Sequence, residues 1–280
     1  MEPPQTEREQ KLSALITKFV GQDAAPRGIC HYVDNLGTLS EIQQENIPRK
    51  KRSGDVRVVA ISDTHERHDL IDLPPGDVLL HCGDLLMFNA GFGSKVGAHK
   101  LRSFNRWLST TPHKERVVIG GNHDHIMETL GKEKTQQMLS HCIYLHDEHV
   151  TLECGLTIFG TPVSVANTKQ SPNRAFQYAS NKIDKIFSIV PPSIDILMTH
   201  GTLDTLPSAQ TLLAKHSIPY YFCGHVHEEH GVQIFHQTIA TNASTMSRTD
   251  DNKFQPSNPP VVMDIPFSRI STSAHGSSYL

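Results

Sequence analysis

Apolar residues gather in short, β-branched runs that stop abruptly at polar residues, a pattern expected of strands buried on both faces. Val56 to Ser62 is the first such run, Asp77 to Cys82 the second and Val117 to Gly120 the third. Between the second and third, Leu101, Phe104 and Leu108 recur at helical spacing, predicting a helix from about Ser94 to Ser109. A strand, helix, strand order implies parallel pairing through right-handed crossovers. Another helix is expected from about Ile126 to Leu139.

Beyond that helix the period changes. Cys142 to Leu145, Val150 to Glu153 and Leu156 to Gly160 read as short strands of an antiparallel run forming a second sheet. Thr161 to Ser180, with Pro162 and Pro172, reads as a long loop near the site. A helix at Asn181 to Val190, a strand at Ile194 to Met198, a crossover closed by Thr211 to His216 and a strand at Tyr220 to Cys223 follow. Val232 to Ala240 is expected to supply the final strands, with Asn242-Ala243-Ser244 at their end.

The first 54 residues do not share this pattern. Thr6 to Val20 suits an amphipathic helix carrying Leu12, Leu15, Ile16 and Phe19, and a turn-rich stretch follows it, outside the main sheet. Arg49 to Arg52 is a basic cluster read as a solvated linker. The division expected is an N-terminal extension over 1–54, one main domain over 55–267 and a flexible Ser-rich tail over 268–280.

What distinguishes the chain is how its strands end. The stretch VVIGGNHD, Val117 to Asp124, delivers Asn122 and His123 just after two glycines that allow a sharp turn and close approach. Four other strand ends finish the same way: Asp63-Thr64-His65, Gly83-Asp84, Thr199-His200 and Gly224-His225-Val226-His227. On an extended segment, residues two apart face one way, so Asp63 and His65 point at one spot.

Composition narrows the reading without deciding it. With 280 residues and a formal net charge of -3, the chain can bury a large core and lacks the basic footprint of a nucleic-acid binder. No window reaches the roughly 18 apolar residues of a membrane span, so a soluble, cytoplasmic protein is expected. The five cysteines are odd in number and scattered in apolar runs, which suits reduced thiols. Histidine, at 18, is the unusual count.

Two Asp, one Asn and four His at strand ends make an oxygen and nitrogen donor set suited to Mn²⁺, Fe, Zn²⁺ or Mg²⁺. Seven donors exceed one tetrahedral ion and match two ions that share a carboxylate, about 3.5–4 Å apart. Two divalent ions less Asp63, Asp84 and a bridging hydroxide leave a positive excess, which attracts a phosphate ester. The neutral Asn122 preserves it.

In their order, these five motifs resemble D-x-H, G-D, G-N-H-D/E, x-H and G-H-x-H of the calcineurin-like metallophosphoesterase superfamily, over about residues 55 to 245. Ile61 to His65, Val118 to Asp124, Asp195 to Gly201 (DILMTHG), Gly224 to Gly231 (GHVHEEHG) and Asn242-Ala243-Ser244 are similar to the small metallophosphoesterase-domain proteins allied to class III cyclic-nucleotide phosphodiesterases. The resemblance implies an α/β fold, a four-layer sandwich of two mixed β-sheets flanked by helices. It implies one metal held by Asp63, His65, Asp84 and His227 and a second by Asp84, Asn122, His200 and His225, with Asp84 bridging. Some members of the closer group lose one of the last two histidines; here both are present, implying a functional binuclear site.

The chemistry this implies is hydrolysis by a metal-bridging hydroxide, with His123 protonating the departing oxygen and Asp124 orienting it. The expected substrate is a small phosphodiester, cyclic nucleotides included. The protein-phosphatase pattern G-D-x-x-D-R-G is replaced by Gly83-Asp84-Leu85-Leu86-Met87-Phe88-Asn89, which lacks the arginine that helps hold a dianion. Asn167, Asn173, Arg174, Phe176 and Tyr178 are loop candidates for touching a base or phosphate. A Ser/Thr-type protein phosphatase and a catalytically weak metal- or nucleotide-binding scaffold are the alternatives. His68, His81, His99, His113, His141, His146, His149, His216, His230 and His236 match no motif position and read as structural, with His68 and His230 nearest the pocket rim.

Overall fold

The computed structural model describes residues 27–87, 93–166, 171–248 and 254–266. The expected helix at Thr6 to Val20, the tail from 268, and Phe88, Asn89 and Asn167 lie outside these. Seven strands form one mixed sheet in the order β2 (Leu39–Gln43), β1 (Ile29–Val33), β15 (Val261–Ile265), β3 (Val56–Ile61), β4 (Val78–His81), β5 (Glu115–Val118) and β6 (Ile143–Tyr144). The second sheet runs β11 (Gly231–Phe235), β12 (Thr238–Asn242), β10 (Tyr220–Cys223), β9 (Ile196–Thr199), β8 (Thr157–Thr161) and β7 (Glu148–Thr151). A small hairpin joins β13 (Met246–Arg248) to β14 (Phe254–Pro256).

Alternation along the strands builds the layers. Val58, Ala60, Leu80, Val117 and Ile119 face inward and meet Ile158, Ile196, Met198 and Phe222 of the other sheet. The alternate residues Val59, Ile61, Leu79 and Val118 face outward onto Leu101, Phe104, Leu108 and Met127 of the helices α1 (Gly93–Thr110) and α2 (His125–Met138). On the far side, Phe159, Leu197 and Tyr221 pack under Ile183, Phe187, Ala209 and Leu213 of α3 (Ser180–Ser188) and α4 (Pro207–Lys215). The expected helix, sheet, sheet, helix sandwich is therefore the observed one. Each sheet is covered on both faces, which is why its strands read as continuous apolar runs.

Several local expectations need correction. Residues 29–43 are not outside the main sheet: β1 and β2 form a hairpin on its edge, and β1 pairs in parallel with β15. Asp34 makes that turn by accepting the Leu36 and Thr38 N–H groups, with Gly37 at φ 83°. The hairpin is obscured in the sequence because β2, with Ser40, Glu41 and Gln43 exposed and no residue fully buried, lacks an apolar run. Cys142 to Leu145 belongs to the first sheet, where β6 pairs in parallel with β5, so the antiparallel run is only β7 and β8. The final strand is β15, not Val232 to Ala240; it is antiparallel to β3 and clamped there by Arg57, whose guanidinium meets Asp264 at 2.8 Å. The helix expected at Ile126 to Leu139 is broken at Gly131, whose φ of 74° interrupts α2.

This topology creates one polar mouth. Strands β3, β4 and β5 run parallel and in close register, Ile61 beside His81 and His81 beside Val118. Strands β9, β10 and β12 do the same in the other sheet. A parallel bridge between Ser62 and Ser244 ties the two sheets together there.

Candidate metal centre

The loops leaving the strands are lashed to one another by their backbones. Asp63 N–H donates to Gly83 O at 2.9 Å, His65 N–H to Asp84 O at 3.1 Å, and Gly224 N–H to His200 O at 3.0 Å. Asp63, His65, Asp84 and His225 adopt left-handed φ values of 55°, 44°, 53° and 73° although each carries a Cβ. That conformation costs on the order of 1 kcal/mol or more per residue, and it concentrates where side chains must be re-aimed at the end of a strand. Gly121 permits the crowding: a Cβ there would lie 2.5 Å from Asp84 N and 2.7 Å from His200 Cε1.

The side chains then converge. Asp63, His65 and His227 each offer one ligand atom, all within 4.8 Å of one another; Asp84, His200 and His225 do the same, as do His65, Asp84 and His123. Asp84 is common to two groups, with Oδ1 3.4 Å from His200 Nε2 and Oδ2 3.9 Å from His65 Nε2. Asn122 Oδ1 lies 2.9 Å from His200 Nε2, so the seven side chains singled out in the sequence share one location.

The surroundings orient these ligand atoms. His65 Nδ1 donates to Leu86 O at 3.1 Å and His200 Nδ1 to Cys82 O at 2.9 Å, leaving each Nε2 facing the carboxylates. Asp63 Oδ2 accepts from Ser244 Oγ at 2.8 Å and from His225 N–H at 2.9 Å. Its other oxygen, Oδ1, is buried without a hydrogen-bond partner and lies 3.3 Å from His227 Nε2.

A buried carboxylate pair needs positive charge. Burial alone would push the carboxyls of Asp63 and Asp84 up; neighbouring histidines, chiefly His227 for Asp63 and His200 for Asp84, pull both well below the usual range. Burial works against the His200 cation too, yet Asp84 and Asp63 raise it to about 9. Burial and the nearby His200 push His225 down to about 4. The orphaned Asp63 Oδ1, the carbonyl-fixed imidazoles and the attraction for a proton at His200 all fit a donor set for divalent cations.

Other expectations resolve differently. Asp124 does not meet the His123 ring: its carboxylate accepts the N–H groups of Gly121, Leu85 and Leu86 at 2.9, 3.2 and 3.0 Å, fastening two site loops together. Full burial and the charge of Asp84 push its carboxyl up to about 8 against those donors. The ring's partner is Asn173, whose Nδ2 lies 2.9 Å from His123 Nε2. Phe176 is fully buried, wedged against Gly120, so it cannot stack a base; the Tyr178 ring is capped by Lys182 Nζ at 3.2 Å. His68 packs on Phe104 and Trp107 of α1, away from the rim, and His230 bonds His31 at 2.9 Å. Ser244, which orients Asp63, is marked in the sequence only by its place at a strand end in Asn242-Ala243-Ser244. A lone serine after a strand carries no other signal.

The centre opens into a cavity of about 380 Å³ lined by His65, Asp84, Asn122, His123, Ser171, Asn173, His225, Val226, His227 and Glu228. A family model described as calcineurin-like phosphoesterase matches residues 56–229, which contain all seven candidate ligands. The chain belongs to that family. The human protein named metallophosphoesterase domain-containing protein 1 is 32% identical over 257 residues, covering 79% of this chain and 74% of that one. The Caenorhabditis elegans UPF0046 protein K07C11.7 is 29% identical over 270 residues, covering 85% of each. A solved crystal structure superposes with a TM-score of 0.50 at 14% identity, covering 67% of this chain and 90% of that one, a likeness of fold alone. This member of the calcineurin-like phosphoesterase family thus has a family-typical domain with clustered residues suited to divalent metals. No helix among its described residues is long and apolar enough to cross a membrane.

Proposed function

We propose that the protein is a binuclear-metal-dependent phosphodiesterase acting on small or cyclic nucleotide phosphodiesters. The observation that carries the substrate class is the charge of the cavity wall. Among its described lining residues there is no lysine or arginine, and Glu228 stands exposed at the rim. A monoester dianion gains most from extra cations and suffers most from a nearby carboxylate; a diester monoanion is less affected.

Asp63, His65, Asp84 and His227 would hold one ion and Asp84, Asn122, His200 and His225 the other. Mn²⁺ is our first choice for both, because carboxylate and amide oxygens suit it and the imidazoles complete a donor set of mixed hardness. Bound there, such ions supply an activated water and neutralise charge on the phosphoryl oxygens. This chain's own residues do the rest. Asp84, held by the His123 N–H at 2.8 Å, keeps its place between the two groups. His123, with Nε2 3.8 Å from Asp84 Oδ2, stands where it can give a proton to the departing oxygen. The unpaired thiols support a cytoplasmic location.

The test combines metal analysis of the purified protein with a panel of mono-, di- and cyclic phosphate esters in Mn²⁺. Expected are two ions per chain and a kcat/KM for bis(p-nitrophenyl) phosphate above that for p-nitrophenyl phosphate. The opposite order, with turnover of phosphoserine peptides, would transfer the protein to the phosphatase reading.

A further inference from the structure

Four consecutive cations, Arg49-Lys50-Lys51-Arg52, precede Ser53 in the loop that enters β3, and the chemistry proposed for the metal centre makes no use of them. Val56 opens the six residues of β3 opposite Ile265, whereas Asp63 follows the other end of the strand. The loop therefore lies at the far pole, about 20 Å along the strand from the metal centre. Lys50 Nζ meets Asp77 Oδ2 at 2.9 Å and ties the loop down. Arg49, Lys51 and Arg52 are exposed, and among the described residues none of the three forms an ion pair.

Beyond the cations the chain makes a tight turn. Asp55 N–H donates to Arg52 O at 3.1 Å, and Asp55 Oδ2 accepts the Arg52 N–H at 3.0 Å. Ser53 and Gly54 are the two central residues of that turn and both are exposed, with Asp55 buried at its foot. Hydrogen bonds at the surface open at little cost, because water replaces them. Two other serines follow basic residues at similar spacing, and the fold separates them from Ser53. Ser103 comes after Lys100 and Arg102, and Ser109 comes three residues after Arg106. Both lie inside α1, where Ser103 is half-buried and Ser109 Oγ donates to Arg106 O at 2.6 Å. An enzyme that reads cations upstream of an acceptor pairs them with its own carboxylates along an extended segment. A helix must unwind to be read in this way; loop 49–54 has no helical ladder to break.

We propose that Ser53 is a phosphorylation site for a protein kinase that selects basic residues on the N-terminal side of its acceptor. In that reaction Ser53 Oγ bonds to the γ-phosphorus of MgATP while the bond from that phosphorus to the β,γ-bridging oxygen breaks. ADP leaves with the bonding pair, and the hydroxyl proton passes to a carboxylate of the kinase and then to solvent. The product carries about −1.5 to −2 charges at pH 7, beside the side chains of Arg49, Lys51 and Arg52. The new dianion can accept charge-assisted hydrogen bonds from these cations, and it cancels about half of the charge of the basic cluster. The inference is independent of the phosphodiesterase reading, because the loop shares no residue with the metal centre.

The test incubates the folded full chain with MgATP and, in separate reactions, with two kinases that select basic residues, the catalytic subunit of cyclic-AMP-dependent protein kinase and protein kinase C, and with casein kinase II, which selects acidic ones. Phosphopeptide mass spectrometry should place phosphate on Ser53 with at least one of the first two and not with the third. Ser53→Ala should lower incorporation by at least about 10-fold. Lys51→Glu combined with Arg52→Glu should do the same with the acceptor intact, because like charges then face the kinase. Circular dichroism verifies that both variants are folded. Phosphate confined to Ser103, Ser109 or any other residue, equal incorporation by the Ser53→Ala chain, or no label at all while a basic reporter peptide is labelled in the same tube would each overturn the proposal. Labelling of Ser53 only after heat unfolding would overturn it as well, since the folded turn would then withhold the acceptor.

Discussion

Ser244 Oγ donates to Asp63 Oδ2 across 2.8 Å, so a residue following the second sheet orients the carboxylate that ends a strand of the first. The contact leaves Oδ1 of Asp63 to face His227 Nε2, 3.3 Å away. Ser244→Ala should weaken metal binding about 10–100-fold, the usual cost of losing a group that orients a ligand. Calorimetric titration with Mn²⁺ checks this, and activity at saturating metal should return to near wild type. An unchanged affinity would show that His225 N–H alone suffices.

On the proposed reading, Asp84 holds metal and His123 transfers the proton. Asp84 reaches His65 on one side and His200 on the other, whereas His123 stands beyond it against Asn173. Asp84→Asn should lose bound metal, and His123→Ala should keep it while losing at least about 100-fold in kcat. Elemental analysis beside turnover of bis(p-nitrophenyl) phosphate makes the comparison. The third cluster, His65, Asp84 and His123, gives the contrary outcome a structural meaning. Equal metal loss in both variants would make His123 a ligand.

How much of this could be read in the chain follows from what each feature advertises. Strands β3, β4, β5, β9 and β10 are buried on both faces, so their apolar runs were visible, and their polar ends stood out by contrast. Strand β2 sits on an edge with exposed residues, and its pattern looks like loop. Strand β15 comes last in the chain but lies in the middle of the first sheet, a placement set by pairing with β1 and β3 that local sequence does not encode. The seven candidate donors were legible because side chains of metal-ligating type are conspicuous at strand ends, and folding gathers them at one place. The residues that aim them were not. Ser244 is an ordinary turn residue until folding sets it, 181 positions along the chain, against Asp63, and Asn173, read in the sequence as a loop residue able to touch a base or phosphate, meets His123 50 positions away. Asp124 misled because adjacency to His123 suggested a contact, whereas its carboxylate turns toward backbone N–H groups.

Gly121 is the test of how tightly the site is packed. A methyl group there would press on Asp84 Oδ1 and lie 2.7 Å from His200 Cε1, neither of which can retreat without leaving its place. Gly121→Ala should destabilise the fold by about 1–3 kcal/mol, the range for overpacking, and abolish metal binding in whatever remains folded. Thermal unfolding with and without Mn²⁺ reads both effects. Wild-type stabilisation by the metal, if retained in the variant, would mean the loops have more room than the structure shows.

Asp195 gives a prediction outside the metal centre. Its side chain is 4% exposed, Oδ2 accepts the Thr157 N–H at 2.7 Å, and burial raises its carboxyl to about 6. The folded state therefore holds this proton more tightly than the unfolded chain, where an aspartate titrates near about 3.9. Below that value both states are protonated and Asp195 costs nothing. As pH rises from there toward 6, the unfolded chain ionises first and stability falls; above 6 the cost is constant. Asn keeps an acceptor for the Thr157 N–H and has no charge to bury. Asp195→Asn should thus gain about 1–3 kcal/mol over wild type at pH 7 and nothing at pH 3.5, measured by urea unfolding at the two values. A gain of the same size at both would trace the effect to packing, and a loss at pH 7 would mean that the charged carboxylate has partners strong enough to offset its burial.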